Sequence, residues 1–192
     1  MLRRLYDWIM RLAESPNASW ALAAVSFAES SFFPIPPDPM LIPMVLANRK
    51  KAWVFALVAT VASVLGGIAG YFIGASLETL GASILRFYGH PDAMSEFQAM
   101  FAQWGVWIIL IKGLTPIPYK FVTIASGMAA FDLKIFILAS IITRGGRFFI
   151  IATLLYFFGE PVRAFIEKRL TLVTTLFVVV LVGGFVALKY IF

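Results

Sequence analysis

Hydrophobic residues in this chain gather into five stretches, and two of these break where an apolar run would otherwise continue. Ala52 to Ser76 is 25 residues without a charge, Ile135 to Phe158 is long enough to span, and Leu170 to Leu188 adds 19 uncharged residues. Each predicts a transmembrane helix, over 52–76, 135–158 and 170–190. The other two stretches, 18–47 and 106–131, are interrupted by Pro34-Ile35-Pro36-Pro37-Asp38-Pro39 and by Pro116-Ile117-Pro118. Proline removes a backbone donor and clashes with the preceding turn, so neither stretch is one continuous helix. Ala18 to Phe33 would rise only about 24 Å, short of a hydrocarbon core of about 30 Å. Each broken stretch is therefore read as a re-entrant hairpin that enters and leaves on one side. A single kinked span from Trp20 to Leu46 is the other solution for the first.

Weaker periodicities fill the remainder. Leu2, Leu5, Tyr6, Trp8, Ile9 and Leu12 lie opposite Arg3, Arg4, Asp7 and Arg11, which predicts an amphipathic interfacial helix over 1–16. The charges interrupt any continuous apolar core, so this segment is not read as a signal peptide. Residues 77–104 mix charge with aromatics and predict interfacial helices, with a turn at Gly89-His90-Pro91. Within 52–76, Gly66, Gly70 and Gly74 recur every fourth residue. That smooth face serves close helix packing, within the chain or between copies, so a homo-oligomer is left open.

Composition agrees with a membrane setting. Of 192 residues 61% are hydrophobic and only 14% charged, with a mean hydropathy of +0.90. The absence of cysteine excludes disulfides and thiolate metal sites. The net charge of +6 does not indicate nucleic acid, because the basic residues flank apolar spans. They set orientation instead. With both broken stretches re-entrant, nine cations (Arg3, Arg4, Arg11, Arg49, Lys50, Lys51, Arg163, Lys168, Arg169) share one side and three (Arg86, Lys134, Lys189) the other. This bias predicts a multi-pass protein with a cytoplasmic amino terminus.

The two halves resemble one another. Phe33-Pro34-Ile35-Pro36 and Thr115-Pro116-Ile117-Pro118 are 82 positions apart, and Tyr71-Phe72-Ile73-Gly74 and Tyr156-Phe157-Phe158-Gly159 are 85 apart. The predicted fold is thus an all-α integral membrane domain over 1–192. It holds two inverted repeats, each a proline-broken hairpin followed by a transmembrane helix, with the terminal helices added. Discontinuous helices meeting near the midplane are the architecture of many secondary transporters.

The candidate chemistry sits on these elements. Glu29 lies five residues before Pro34 and Asp38 lies in the first turn. A carboxylate at membrane depth is costly and marks a proton or substrate site, although Asp38 also suits a helix cap. Lys112 and Lys120 flank the second turn, while Arg144 and Arg147 share one face of their helix. The arginines either neutralise Glu29 and Asp38 or hold an anionic phosphate through their planar fork. Pro34, Pro36, Pro37, Pro116 and Pro118 are the structural turn residues.

Glu29-x4-Pro34-x-Pro36-x-Asp38, the second proline turn with its basic flanks, Gly127-Met128 and Gly159-Glu160-Pro161 together resemble the DedA family of bacterial inner-membrane proteins, in its YqaA-like branch. The family shares the VTT domain with eukaryotic lipid scramblases. The resemblance covers Ser26 to Arg163. Glu29 and Asp38 match the acidic positions of the first motif, whereas the second departs from the commoner pattern of two arginines bracketing a Pro-Gly turn: Lys112 and Lys120 stand nearby at a different spacing, and Ile117-Pro118 replaces the usual Gly. It implies location in the bacterial inner membrane and transbilayer movement of lipid, either recycling of a polyprenyl phosphate or flipping of phospholipid. The partners so implied are phosphate-bearing lipids and protons.

Three rival classes remain. A proton-coupled carrier of a small ion or soluble solute would use the same charges. An assembly protein would leave Glu29 and Arg144 with pairing alone. An enzyme finds less support, because His90 is the only histidine and no Gly-x-Ser-x-Gly occurs. The reading is non-enzymatic, without cofactor and without metal.

Overall fold

The computed structural model describes residues 15, 17–33, 36–89, 92–114 and 118–168, with side chains excluded at 112–114 and 163–168. The amphipathic segment 1–16, apart from Ser15, and the span 170–190 lie outside the described residues, as do Pro34, Pro116 and His90. The described chain forms six α-helices: α1 (Ala18–Ser31), α2 (Asp38–Ala47), α3 (Ala52–Phe87), α4 (Ala93–Leu114), α5 (Lys120–Met128) and α6 (Leu133–Lys168). A 3-10 turn, Arg49–Lys51, precedes α3.

The helix breaks fall at both proline turns. Pro37 opens α2 by accepting the amides of Met40 and Leu41 through its carbonyl oxygen. The lengths of the other elements differ from the sequence reading. The helix expected over 52–76 continues for 36 residues to Phe87, about 54 Å at about 1.5 Å per residue. Nothing between Leu77 and Phe87 breaks a helix; Glu78 and Arg86 change its polarity, not its backbone. Segment 77–104 is accordingly divided between α3 and α4 around Gly89, whose φ is +83°. The first arm of the second broken stretch starts at Ala93 instead of 106. The final described helix runs from Leu133 through Pro161 instead of spanning 135–158, and the Asp132 carboxylate caps it by accepting the Ile135 amide at 2.9 Å.

Two apolar clusters organise the packing. The first joins Leu22 of α1, Leu41 and Val45 of α2, Phe55 and Ala59 of α3, and Phe148 and Leu155 of α6. The second joins Phe101 and Ile109 of α4, Tyr119, Val122 of α5, and Phe136 and Ala139 of α6. Helix α3 thus leaves the first cluster and advances to the second, where Tyr71 packs, while α6 runs the opposite way. Both arms α1 and α2 belong to the first cluster, and α4 and α5 to the second. Between them lies a polar layer in which Glu29 of α1 meets Tyr119, the residue before α5.

Glycine brings the backbones together. A Cβ on Gly66 would fall on the Phe27 main chain, on Gly74 upon the Ile124 carbonyl, and on Gly127 upon the Tyr71 carbonyl. The glycine face of α3 is therefore consumed within the chain, against α1 and α5. The Tyr71 hydroxyl adds a hydrogen bond to the Phe131 carbonyl at 2.5 Å, fixing the link from α5 to α6. That link turns through Ala130, a non-glycine residue at φ +48°, with the Ala130 amide donating to Gly127 and the Phe131 amide to Ser126.

The outside is as apolar as the inside. Val54, Leu57, Val61, Leu65 and Phe72 of α3 and Leu138, Ile142, Ile150, Leu154 and Phe157 of α6 are exposed, whereas Glu29, Ser30, Ser63, Ser140 and Arg144 are buried. Among the described residues two helical stretches, Arg49–Phe87 and Leu133–Val162, are long and apolar enough to cross a membrane.

The packing sets the first expectation. Gly66→Ala or Gly74→Ala forces backbones apart and lowers stability by about 1–3 kcal/mol. Gly146→Ala, where an added Cβ meets nothing within 4 Å, is neutral or gains about 0.5–1 kcal/mol. Thermal unfolding in detergent measures both, and equal losses at all three positions would contradict the close approach.

Candidate functional site

The polar layer is built from the first helix upward. Late in α1, the spacing that puts Leu22 into the core also turns Ser26, Glu29 and Ser30 inward, all three buried. Glu29 is 4% exposed and Arg144 of α6 is 2% exposed, and the Arg144 Nη2 donates to Glu29 Oε2 at 2.7 Å. The Arg144 Nε donates to Ser63 Oγ at 2.6 Å, and Ser63 Oγ lies 2.6 Å from Ser30 Oγ. Ser30 Oγ in turn donates to Glu29 Oε2 at 3.1 Å. One proton assignment serves every member: arginine to Ser63, Ser63 to Ser30, Ser30 to the carboxylate. The ring closes on the ion pair, and such closed networks strengthen their members in a low-dielectric setting.

The second proline turn completes this arrangement. The Tyr119 amide donates to Glu29 Oε1 at 3.1 Å. Its ring and that of Phe148 lie 5.0 and 4.8 Å from the Arg144 guanidinium carbon, a cation held between two aromatic faces. The Tyr119 hydroxyl meets Ser140 Oγ at 2.7 Å. Nearby, Thr123 Oγ1 donates to the Ser30 carbonyl at 2.9 Å, and Lys120 Nζ reaches the Phe32 carbonyl at 3.3 Å, where a cation suits the end of α1.

One turn along α6, Arg147 Nη2 donates to Asp38 Oδ2. This second pair is more open, with side chains 22% and 13% exposed. Among the described residues Asp38 Oδ1 has no hydrogen-bond partner, and neither do the buried Ser26 Oγ and Thr143 Oγ1. Asp38 also opens α2, in whose first turn it is the acidic residue.

Four of the six ionisable candidates therefore come together as two pairs, Glu29 with Arg144 and Asp38 with Arg147. Lys120 stands apart at the Phe32 carbonyl, half-buried over the Phe121 ring. Lys112 belongs to the last turn of α4, and its side chain lies outside the described ones. Of the predicted turn prolines, Pro37 and Pro118 are buried and Pro36 is half-buried. Sequence reasoning missed Ser30, Ser63, Tyr119, Ser140 and Phe148. For Ser63 a signal was available: it precedes Gly66 and Gly70 by three and seven residues on one face of an uncharged helix. An exposed ion pair, Arg49 Nη2 to Glu160 Oε1 at 2.6 Å, also went unread; it fastens the start of α3 to the far part of α6.

Apolar outer faces wrapped about a buried charge layer define a helical membrane protein with a transporter-like interior. Comparison with known proteins gives the family. A profile of the VTT domain matches residues 35–157, well over half of the chain, and the chain belongs to this family, the DedA proteins. An uncharacterized protein of Haemophilus influenzae is 35% identical over 185 residues, covering 96% of both chains. An uncharacterized protein of Histophilus somni is 34% identical over 185 residues, covering 96% of this chain and 97% of its own. No solved structure matches.

Pair burial orders the expected losses. Arg144→Ala strands a buried carboxylate and costs about 3–5 kcal/mol. Arg147→Ala leaves Asp38 partly exposed and costs less, about 1–2 kcal/mol. Unfolding in one detergent compares them, and an Arg147→Ala loss equal to or above that of Arg144→Ala would contradict the assignment of the sealed and open pairs.

Proposed function

We propose that this protein moves a phosphate-bearing lipid, a polyprenyl phosphate or a phospholipid, unaltered across the bacterial inner membrane, coupled to protons. The observation that carries this reading is the unequal exposure of the two ion pairs within one polar layer. The Arg144 fork already spends its Nε on Ser63 and an Nη2 hydrogen on Glu29, so it serves as fixed countercharge. Arg147 is the arginine that an incoming phosphate reaches. In the exchange Asp38 takes a proton as a singly charged phosphate replaces it on Arg147, so the net charge of the layer stays unchanged; a doubly charged phosphate monoester brings a second proton with it. Asp38 Oδ1, without a hydrogen-bond partner among the described residues, accepts that proton without breaking another described contact. Lys120, half-buried beside the meeting point, adds attraction at its edge, and Lys112 is assigned the same role. The lipid tails remain against the exposed apolar faces of α3 and α6.

The same reading places the two broken stretches in the membrane as re-entrant hairpins of an inverted repeat. Supporting it, α1 and α2 share one apolar cluster, α4 and α5 share the other, and α3 and α6 run oppositely between them. The Arg49-Lys50-Lys51 run then lies cytoplasmic, with the amino terminus. In a chain free of cysteine, single cysteines at positions 49 and 134 are expected to label from opposite sides of sealed vesicles. Labelling of both from one side contradicts the inverted topology.

Liposomes with labelled polyprenyl phosphate, labelled phosphatidylethanolamine or inorganic phosphate test the cargo, with and without a pH gradient. Lipid phosphate is expected to translocate and to raise the melting temperature of the protein. Arg147→Lys loses the fork and weakens this binding by about 1.5–3 kcal/mol, roughly 10- to 150-fold. Asp38→Asn removes the response to the gradient. Movement of inorganic phosphate alone would favour a carrier of small solutes, and gradient-responsive transport in Asp38→Asn and Glu29→Gln alike would refute proton coupling.

A further inference from the structure

Helix α3 is longer than the bilayer it crosses, and two contacts mark the part that crosses. Near its start Arg49 pairs with Glu160 of α6, and further on the Tyr71 hydroxyl meets the Phe131 carbonyl, just before α6 begins. From residue 49 to residue 71 the chain rises about 33 Å at about 1.5 Å per residue, close to one hydrocarbon core. Two further features put the far boundary at the same level. Trp104 and Trp107 of α4 are exposed, and Gly105 beside them packs against the Phe131 ring, which suits an interfacial belt. The outward line of α3, Val54, Leu57, Val61, Leu65 and Phe72, continues as Ser76, Thr79, Ser83 and Arg86, all exposed. A lipid-facing line that turns polar has left the hydrocarbon. Residues 77–87 therefore stand beyond it, over about 16 Å.

On this protruding segment a second apolar line opens. Ile73, Leu77, Leu80, Ile84 and Phe87 are exposed, Leu80 at 57% and Phe87 at 85%, and they recur at alternating intervals of four and three. The line is turned by roughly 100° about the helix axis from the lipid-facing one, so it is a separate surface. Its spacing is that of a coiled-coil seam. The other side of the segment is already covered: Met94 and Met128 lie at Gly81, and Gln98 of α4 donates to Glu78 Oε1 at 2.7 Å.

We propose that this line is a dimer interface and that its occupant is the same line of a second copy. Copies inserted the same way in one membrane are related by a two-fold axis along its normal, so each seam residue meets its own equivalent at the same height. Self-pairing of this kind tolerates no charge on the seam. Glu78 and Arg86 both lie off it, and the small Ser76 and Ser83 flank it. Lipid tails do not extend past the core, and the rest of the chain enters from the other end of α3. Helix α1 runs parallel to α3, with Phe27 at Gly66 and Ser30 at Gly70, so residues 1–14 precede it on the Arg49 side. The uncharged run 170–188 follows α6 on that side and is no longer than one crossing requires. The seam lies outside the polar layer, so the proposal does not rest on the identity of the cargo.

Because the chain contains no cysteine, single cysteines report the seam directly. In native membranes holding the full chain, short-linker cross-linking is expected to give dimer at positions 80 and 84, and roughly tenfold less at 79 and 86, which lie off the seam. Light scattering in mild detergent is expected to give the mass of two chains for the parent. Leu80→Glu sets like charges face to face and should weaken the dimer by roughly tenfold or more. Mixing Leu80→Glu chains with Leu80→Lys chains should restore it, because the two-fold axis places the two positions together. Equal cross-linking at all four positions would mean chance collision and overturns the proposal, as does an undiminished dimer in Leu80→Glu. A monomeric parent overturns it too. Protection of positions 80 and 84 from aqueous maleimide would then assign the line to lipid headgroups, and full reactivity would assign it to a different protein. Should Leu80→Glu aggregate, the cysteine pattern decides alone.

Discussion

Everything in the polar layer depends on a full negative and a full positive charge, Glu29 and Arg144, being held together where water does not reach. Moving either ion alone into an apolar interior costs several kcal/mol, and their attraction offsets this only when geometry and hydrogen bonding are nearly complete. The chain meets that demand by using every neighbouring element. Helix α1 supplies the carboxylate and Ser30, α3 supplies Ser63, α6 supplies the guanidinium, Phe148 and Ser140, and the second turn supplies Tyr119. Withdrawal of one leaves a buried charge exposed to a dry environment. The pair thus contributes less to net stability than to fixing one arrangement of the elements that surround it.

Close backbone approach makes this geometry reachable. A side chain at Gly66 or Gly74 would hold α1 or α5 away from α3, and the contacts that cross the layer, near 3 Å, would fail. Thr123 can donate to the Ser30 carbonyl because Gly70 leaves room between them; a Cβ there would meet both the threonine side chain and that carbonyl. Small residues therefore act on charge: they set how near two helix backbones come, and this sets whether a dispersed set of polar groups closes into a ring. The interruption of the chain by proline is the matching requirement, since a continuous helix through residue 119 would tie the Tyr119 amide to its own carbonyl four residues back instead of to Glu29.

Much of this was legible in the sequence because expensive features stand out. Glu29, Arg144 and Arg147 are charges in apolar stretches, the prolines break helices by covalent necessity, and glycines at intervals of four mark a smooth face. Less expensive features gave no warning. The continuation of α3 beyond Ser76 costs nothing locally, so a change of polarity at Glu78 was mistaken for a change of backbone. The continuation of α6 past Phe158 escaped for the same reason. Ser30, Ser63 and Ser140 are ordinary small polar residues whose value appears only when helices distant in sequence converge. Tyr119 contributes through its main chain as well as its ring, and no residue type advertises a main-chain amide. Which arginine takes which carboxylate was likewise open, because i and i+3 positions on one helix face are equivalent until the partner helices are placed.

The difference between the two pairs gives the layer a direction. Four elements enclose the Glu29–Arg144 pair, and its serine ring leaves no polar edge of the carboxylate idle. The Asp38–Arg147 pair lies at the head of α2, partly exposed, with one carboxylate oxygen unmatched. In the proposed exchange an anion arriving from the bilayer competes first with Asp38, where displacement strands the more exposed of the two carboxylates. Arg147 in turn lies one turn from Arg144, so relieving or adding charge at the open pair alters the repulsion felt by the cation in the sealed one. At a separation of about 5–6 Å along one helix face, that repulsion is weak in water and grows as the local dielectric falls. The open pair is thus suited to exchange and the sealed pair to hold the frame. Only Gly145 and Gly146 separate the two arginines along α6, so the helix itself holds the two cations one turn apart whichever carboxylate is engaged.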